Sequence, residues 1–365
     1  MARAITTQRT ATSAISQTAQ AQDRPWLNVF GVHDFKGSPV TINEALDAIG
    51  GNYEVTKEHL LRLSDAEMSA IREGNLNLEV NPNHIVGSHR ATVNTDNDNM
   101  LGIVGKDYGI AQNKQAFEFI DVLTSGTLGG EQKPIIETAA VLGGGQRLFI
   151  TAKMPNQFKI DGDPQGIDDY LIFRNTFDGS GAVQIYFTPI RVICQNMLAA
   201  SVRQGHNRMS LRHTSGISSR IAINEVNIKK AVETMKLHEI FKKEFIEKLN
   251  ALARVKVDDS FTKEFVAKLL ATPSELKLAK EVGYDFNNVE EISSRKTNKY
   301  NTLLEAIECG IGQQYNRGTR LWLYNGVTTY LQNAVAYRDG ELKMDSIIDG
   351  TGAQLSQKAV NLLAA

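Results

Sequence analysis

Four short strand-like runs separated by tight turns dominate the middle of the chain. Ile135–Leu142 and Arg147–Met154 flank three consecutive glycines, and Tyr170–Thr176 and Ala182–Val192 flank the turn Asp178-Gly179-Ser180. Glycine-rich turns between β-rich runs are typical of hairpins, in which neighbouring strands are antiparallel. The order therefore predicts an antiparallel β-meander rather than a parallel, doubly wound sheet.

Helical periodicity lies on both sides of this meander. Residues 112–123 place Ala116, Phe119, Ile120 and Leu123 on one helical face, and apolar residues recur at helical spacing from residue 225 onward. We predict one antiparallel sheet within residues 100–198, including a strand at Ile103-Val104, with the 112–123 helix on a face. The fold class is α+β, with packed helices on the meander and a mainly helical C-terminal region.

Capping signals place several helix ends. Thr41 and Ser64 are predicted N-caps, and Gly50-Gly51 ends the first of these helices. We therefore predict short helices and loops for residues 26–99. In the C-terminal region, Ser260 is a predicted cap for a helix through Leu270, and another helix runs from about residue 298 to Gly310.

The chain divides into three predicted parts: a disordered arm (1–25), an α+β core domain (26–224) and a helical C-terminal region (225–365). The first 22 residues contain Arg3 and Arg9, no acid and few large apolar side chains, so they cannot form a core. A transit peptide is the alternative interpretation of this composition. No stretch approaches the roughly 20 apolar residues that span a bilayer, which predicts a location in the cytoplasm, or in host cytoplasm if the protein is phage-encoded.

Several segments are also characteristic of a known family. They are LGIVGKDYGIAQNKQAFEFIDVL (101–123), PIRVICQNML (189–198), GTRLWLYNGVTTYL (318–331) and QLSQKAVNLLA (354–364). With the glycine turn at 143–145 and the turn at 178–180, they resemble the phage/plasmid-like family catalogued as domain-of-unknown-function 932. The resemblance covers roughly residues 26–365 and implies an origin on mobile elements, but the family label carries no chemistry.

Charge is distributed unevenly in an otherwise nearly neutral chain, which has 40 Lys+Arg and 41 Asp+Glu. The stretch from Pro189 to Lys230 contains seven cations and one anion, Glu225, so it carries +6 in a chain of net −1. Flexible basic segments rich in Ser, Asn, Gln and Gly can bind phosphates, and a solvated basic loop is the alternative. The candidate nucleic-acid-binding residues are Arg191, Arg203, Arg208, Arg212, Arg220, Lys229 and Lys230. Lys36, Lys106 and Tyr108 are possible additions.

Other candidate sites are weaker. The loop that begins at Asp161 starts like a calcium loop but has Ile172 where a bidentate Glu is required, and the three glycines precede a strand rather than the helix of a phosphate loop. Neither His84 with His89 nor His206 with His213 has Cys or carboxylate partners at metal-ligand spacing. We predict no metal site, no cofactor and no catalytic residues.

The two cysteines, Cys194 and Cys309, lie among apolar neighbours. They are predicted to be buried, reduced thiols rather than a disulfide, as expected in a reducing cytoplasm.

Three functional hypotheses follow. The first is a phage- or plasmid-encoded single-stranded-DNA-binding protein of the annealing type used in recombination, which forms a homo-oligomer. The order helix, β-meander, helix is similar to that of the Rad-fifty-two-type annealing proteins, and single strands suit a cationic groove with aromatic side chains. The second is a non-enzymatic accessory or protein-interaction factor of a mobile element, host-defence antagonism included. The third is an unrecognised enzyme that acts on nucleic acid.

Overall fold

A computed structural model of the chain describes residues 32–74, 81–124, 134–155, 157–164, 166–191, 196–197, 208–217, 233, 242–348 and 350–364. The predicted disordered arm, residues 1–25, lies outside the described residues. Most of the basic stretch after residue 191 also lies outside the described residues.

One antiparallel sheet forms the centre of the molecule. Its strands are β1 (His33–Asp34), β5 (Ile135–Leu142), β6 (Arg147–Lys153), β7 (Ile167–Thr176), β8 (Val183–Arg191), β9 (Asn196–Met197) and β10 (Arg208–Leu211). The described part of this sheet has seven strands in the order β1-β5-β6-β7-β8-β10, with β9 also paired to β8. The predicted four-strand meander is confirmed as β5 to β8, joined by the glycine turn at 143–145 and the turn at 178–180.

A second, three-stranded antiparallel sheet corrects two predictions. It consists of β2 (Val55–Leu61), β3 (Ile85–Asn94) and β4 (Asn99–Gly105). The prediction of helices and loops for residues 26–99 was therefore wrong at β2 and β3, and also at the two-residue strand β1. The predicted strand at Ile103-Val104 exists, but it belongs to this smaller sheet rather than to the meander. Most residues of β2 and the first half of β3 are solvent-exposed, which removes the alternation that reveals a strand.

Helices account for most of the remaining described residues. They are α1 (Ile42–Ala48), α2 (Asp65–Arg72), α3 (Asn113–Thr124), α4 (242–254), α5 (Asp259–Leu270), α6 (Pro273–Glu281), α7 (Ser294–Cys309), α8 (Arg320–Thr329), α9 (Gly340–Ile348) and α10 (Thr351–Ala364). α8 continues into a π-helix at Tyr330–Ala334. The described part of the C-terminal region is mainly helical, as predicted.

Capping chemistry explains where these helices begin. Thr41 and Ser64 each form a capping box, with a glutamate three residues later that accepts from the cap backbone amide, which confirms both predicted caps. The prediction for α5 was wrong: Asp258, rather than Ser260, accepts a hydrogen bond from the Phe261 amide. α7 ends before Gly310 as predicted but starts at Ser294, because its first turn is polar and gives no apolar signal.

Helices cover both faces of the large sheet. On one face, α1 and α3 pack on strand residues such as Leu148 and Phe173. On the other, Met344, Ile347 and Ile348 of α9 pack on residues such as Phe149 and Ile172. Because α9 lies in the C-terminal region, hydrophobic contacts connect that region directly to the sheet. Helices α4 to α8 and α10 build a core of their own, which Phe158, Ile160 and Ile167 also join.

Candidate nucleic-acid interface

The structure describes three of the seven predicted phosphate-binding cations. Arg191 ends β8 and Arg208 begins β10, where it is paired with Tyr186. Positions 186 and 191 are five residues apart, which corresponds to about 17 Å along β8. Arg212 follows β10 and is exposed. Arg203, Arg220, Lys229 and Lys230 lie outside the described residues.

Arg212 lines an open groove of about 430 Å³ at the β10 edge of the large sheet. One wall is the turn between β7 and β8, with Gly179, Ser180 and Gly181, and the opposite wall is the segment from Ser210 to Thr214. Tyr108, Arg174, Ala182 and Gln184 complete the lining. The groove therefore joins the large sheet to the chain segment that leaves the smaller sheet at β4.

Two stacked rings form part of this groove. The rings of Tyr108 and His213 are separated by 4.7 Å and lie 14° from parallel. The Tyr108 hydroxyl donates to the Thr176 carbonyl at 2.8 Å. Burial, and next the nearby Asp178 carboxylate, raise the pKa of Tyr108, so this hydroxyl stays protonated at physiological pH. His213 Nδ1 lies 3.0 Å from the Gly109 carbonyl oxygen. Because a carbonyl only accepts, Nδ1 carries a proton.

A glycine allows the two segments to approach so closely. Gly109 donates its amide to the His213 carbonyl at 3.1 Å, and Tyr108 forms a β-bridge with Thr214. A Cβ added at Gly109 would collide with the Thr214 carbonyl oxygen and would lie 2.7 Å from Ile217. Only glycine fits at this position without displacing the groove wall.

The charged side chains that line the groove are cationic. Arg174 and Arg212 both contribute, and no carboxylate lines it in the described part of the chain. Arg174 is oriented by Asp345 of α9, whose Oδ1 lies 3.1 Å from Arg174 Nη2. Asp345 also contacts Arg147, which pairs in addition with Glu341 at 3.3 Å and lies 3.7 Å from Asp178. The carboxylates near the groove are thus engaged by arginines on its sheet side.

Of the two arginines that line the groove, the sequence indicated Arg212 but not Arg174. Arg174 lies near the end of β7, where an isolated cation among buried residues gives no local signal. Tyr108, which was a possible addition, lines the groove, and Lys106 lies two residues before it. Lys57 donates to the carbonyl oxygens of Lys106 and Tyr108 at 3.1 and 2.7 Å and so adds a cation beside this segment. Lys36 follows β1 and does not line the groove.

Two other sequence candidates, Asp161 and His84, have partners in the described part of the chain, whereas His206 lies outside it. Asp161 pairs with Arg254 at 2.8 Å, which ties the loop between β6 and β7 to α4. His84 lies 3.4 Å from Glu67. Among the described residues, no group of three or more His, Cys, Asp or Glu side chains could hold a metal ion. None of the described helices has the length and apolar character needed to cross a membrane.

The structure corrects the prediction for one cysteine. Cys309 is a free thiol, but it is exposed rather than buried, because it is the last residue of α7 and faces away from the helical core. Cys194 lies outside the described residues, so its burial stays a prediction.

The fold and groove define an α+β protein with an antiparallel sheet between helical layers and a cationic groove at one sheet edge. The model of the family described as Domain of unknown function (DUF932) matches residues 100–348. The chain therefore belongs to this family, and the matched range includes every residue that lines the groove. No curated protein and no solved structure matches the chain. The similarity to Rad-fifty-two-type annealing proteins stays a prediction.

Proposed function

We propose that the protein binds single-stranded DNA in the groove between Arg174 and Arg212 and promotes annealing of complementary strands. One observation carries the proposal: two arginines line an open groove to which the described residues contribute no carboxylate. Phosphates are attracted to such a surface, and counterion release makes the interaction strongly dependent on salt.

The other lining groups suit a flexible polynucleotide. Ser180, Ser210 and Thr214 offer hydroxyls for phosphate oxygens. Tyr108 is partly exposed beside them and offers an aromatic surface on which a base can stack. The two-residue period of a strand puts positions 208 and 210 of β10 on one face of the sheet.

The absence of a base-reading element in the sequence favours single strands over specific duplex sites. In this proposal, the protein acts in the cytoplasm of the cell that carries the mobile element. It works as a homo-oligomer, and annealing requires neither a nucleotide cofactor nor a metal. The basic residues Arg203, Arg220, Lys229 and Lys230 would add further phosphate contacts.

A second function, as an accessory or protein-interaction factor of a mobile element, is favoured by a different surface. Leu61 and Ile85 are paired at one end of the smaller sheet, and both are exposed, as are Met100 and Ile103 on its edge strand. Exposed large apolar residues on a sheet with open edges are typical of surfaces that bind another protein.

The decisive experiment is fluorescence anisotropy of a labelled oligonucleotide over a series of salt concentrations. We expect a steep decrease of affinity with salt, with a log–log slope of about −0.7 per phosphate contact. Replacing Arg203, Arg208 and Arg212 together with Ala should flatten the slope by about two units. Arg254→Ala is the matched control, because Arg254 is an exposed arginine outside the groove. Its slope should equal that of the unmodified protein.

An annealing time course without ATP then separates annealing from simple binding. Acceleration by the unmodified protein and its loss in the triple variant are the expected results. Absence of binding at low salt, or an unchanged slope in the triple variant, would overturn the proposal and favour the interaction-factor function.

A further inference from the structure

A second cavity, of about 320 Å³, lies among the C-terminal helices, away from the groove. Apolar side chains from α5, the π-helix and α10 form its walls, among them Leu269, Leu331 and Leu355. Its volume is at the lower end of the range typical of small-molecule sites, about 300–1,000 Å³. The cavity therefore has the size and the apolar body expected for a small ligand.

A largely buried tyrosine lines this cavity, and its hydroxyl has no hydrogen-bond partner among the described residues. The side chain of Tyr330 is only 6% exposed and lines the cavity. Its hydroxyl makes no hydrogen bond to any described residue, whereas the neighbouring Tyr337 hydroxyl donates to the Leu331 carbonyl at 2.9 Å. A polar ligand atom in the cavity could form a hydrogen bond with this hydroxyl.

Tyr330 also begins the π-helix that forms one wall of the cavity. Single π-helical turns in otherwise α-helical segments occur frequently at functional sites. Here the π-helical turn includes both Tyr330, with its unpartnered hydroxyl, and Leu331 of the apolar wall.

Two features favour a negatively charged ligand. Lys299 lines the cavity, is exposed, and forms no ion pair with a described residue. The 14-residue helix α10 begins at the cavity with Thr351 and Gly352, and it has no acidic residue in its first turn. A helix N-terminus carries partial positive charge and stabilises anions. No carboxylate from the described residues lines the cavity.

We propose that this cavity binds a small amphipathic carboxylate. Its carboxylate group pairs with Lys299 near the N-terminus of α10 and accepts a hydrogen bond from Tyr330, and its apolar chain packs on Leu269, Leu331 and Leu355. A single lysine matches a monoanion better than a dianionic phosphate. The proposed carboxylate site does not rest on the proposed DNA-binding function.

Isothermal titration calorimetry of the full chain with sodium octanoate tests the proposal. Octan-1-ol has the same chain without charge, and octyl phosphate has a dianionic head. We expect saturable binding of octanoate, weaker binding of octan-1-ol by about tenfold or more, and no gain for octyl phosphate, because one charge-assisted hydrogen bond contributes a factor of this size.

Matched variants locate the site. Lys299→Gln should weaken octanoate binding by about tenfold and Tyr330→Phe by about fivefold, in line with the loss of one hydrogen bond each. Lys280→Gln removes an exposed lysine that does not line the cavity and should leave affinity unchanged. Leu355→Trp fills the cavity and should abolish binding, with circular dichroism confirming the fold.

Three outcomes would overturn the proposal. They are no octanoate binding to the unmodified protein, equal affinity for octan-1-ol, and unchanged affinity in both Lys299→Gln and Tyr330→Phe. Tighter binding of octyl phosphate would overturn the assignment of the ligand as a carboxylate.

Discussion

The ring of Tyr108 stacks on the ring of His213 at 4.7 Å and connects the end of the smaller sheet to the segment after β10. Residues far apart in the chain thus meet in one groove. The stack has a buried ring, His213, and a partly exposed one, Tyr108. Tyr108 is therefore the aromatic surface that a base can reach.

Two substitutions at Tyr108 separate stacking from hydrogen bonding. Tyr108→Phe keeps the ring but loses the bond to Thr176, so unfolding free energy should fall by about 1 kcal/mol while DNA affinity changes little. Tyr108→Leu removes the ring, and affinity should fall by about tenfold or more. Urea unfolding and anisotropy measure the two effects. Equal affinities of the two variants would rule out base stacking on Tyr108.

A methyl group at Gly109 should disrupt the groove wall. In Gly109→Ala the new Cβ collides with the Thr214 carbonyl, so we expect a loss of about 1–3 kcal/mol in unfolding free energy and weaker DNA binding. Gly105→Ala is the control, because a Cβ at Gly105 meets no atom within 4 Å. If both variants unfold at the same urea concentration, the result would contradict a collision between a Cβ at position 109 and the Thr214 carbonyl oxygen.

Asp345 should contribute more to stability than an exposed ionic partner. In Asp345→Asn, Arg174 loses the carboxylate that orients it and Arg147 loses one of its partners, with an expected cost of about 2 kcal/mol. Asp161→Asn breaks the exposed pair with Arg254 and should cost less than about 1 kcal/mol. Urea unfolding compares the two variants. The reverse ranking would contradict the role of Asp345.

The contribution of Glu275 to the unfolding free energy should be lost in acid. Hydrogen bonds from the side chain of Lys296 and from the backbone amide of Thr272 lower the pKa of Glu275 from 4.5 to about 2. The folded pKa is depressed, so the stabilisation is fully present above pH 4.5 and is lost as pH falls towards 2. The difference in unfolding free energy between the unmodified protein and Glu275→Gln should therefore shrink over this interval.

The pH dependence is measured by urea unfolding at several pH values. Glu264→Gln is the control, since Glu264 forms an i,i+4 pair with Lys268 on a helix surface and such pairs contribute only a few tenths of a kcal/mol. A difference for Glu275→Gln that stays constant from pH 7 to pH 2 would refute the assignment.

Cys309 should react rapidly in the native protein. Because its side chain is exposed at the end of α7, a brief treatment with a maleimide should modify one thiol, identified by mass spectrometry of the peptide that contains it. Cys309→Ser should eliminate this label with little change in stability. Two labels in the native protein would show that Cys194 is accessible as well, against the prediction of its burial.

The meander could be predicted because its signals are local. The strands from Ile135 to Arg191 are bounded by glycine-rich turns, and the capping boxes at Thr41 and Ser64 each span only four residues. β2 and β3 could not be predicted, because both faces of much of this ribbon contact solvent. Their pairing depends on tertiary contacts such as the bond from Thr92 to the Phe177 carbonyl at 2.7 Å.

The groove could be predicted only in part. The basic stretch indicated Arg212 from local charge, whereas Arg174 and Tyr108 reach the groove through sheet pairing and the close approach at Gly109. Asp345 orients Arg174 from a helix that no local pattern connects to β7. The number of cations in a segment can be counted in the sequence, but the pairing of nearby carboxylates with Arg147 and Arg174 is a property of the folded chain.

Helix α9 contributes adjacent residues to two separate sites: Asp345 contacts Arg174 behind the groove, and Ser346 lines the cavity among the C-terminal helices. Any displacement of this helix that accommodates a molecule at one site also moves a side chain at the other. Occupancy of the two sites would then be thermodynamically linked. Linkage is reciprocal, so a cavity ligand that weakened DNA binding would itself be bound more weakly in the presence of DNA.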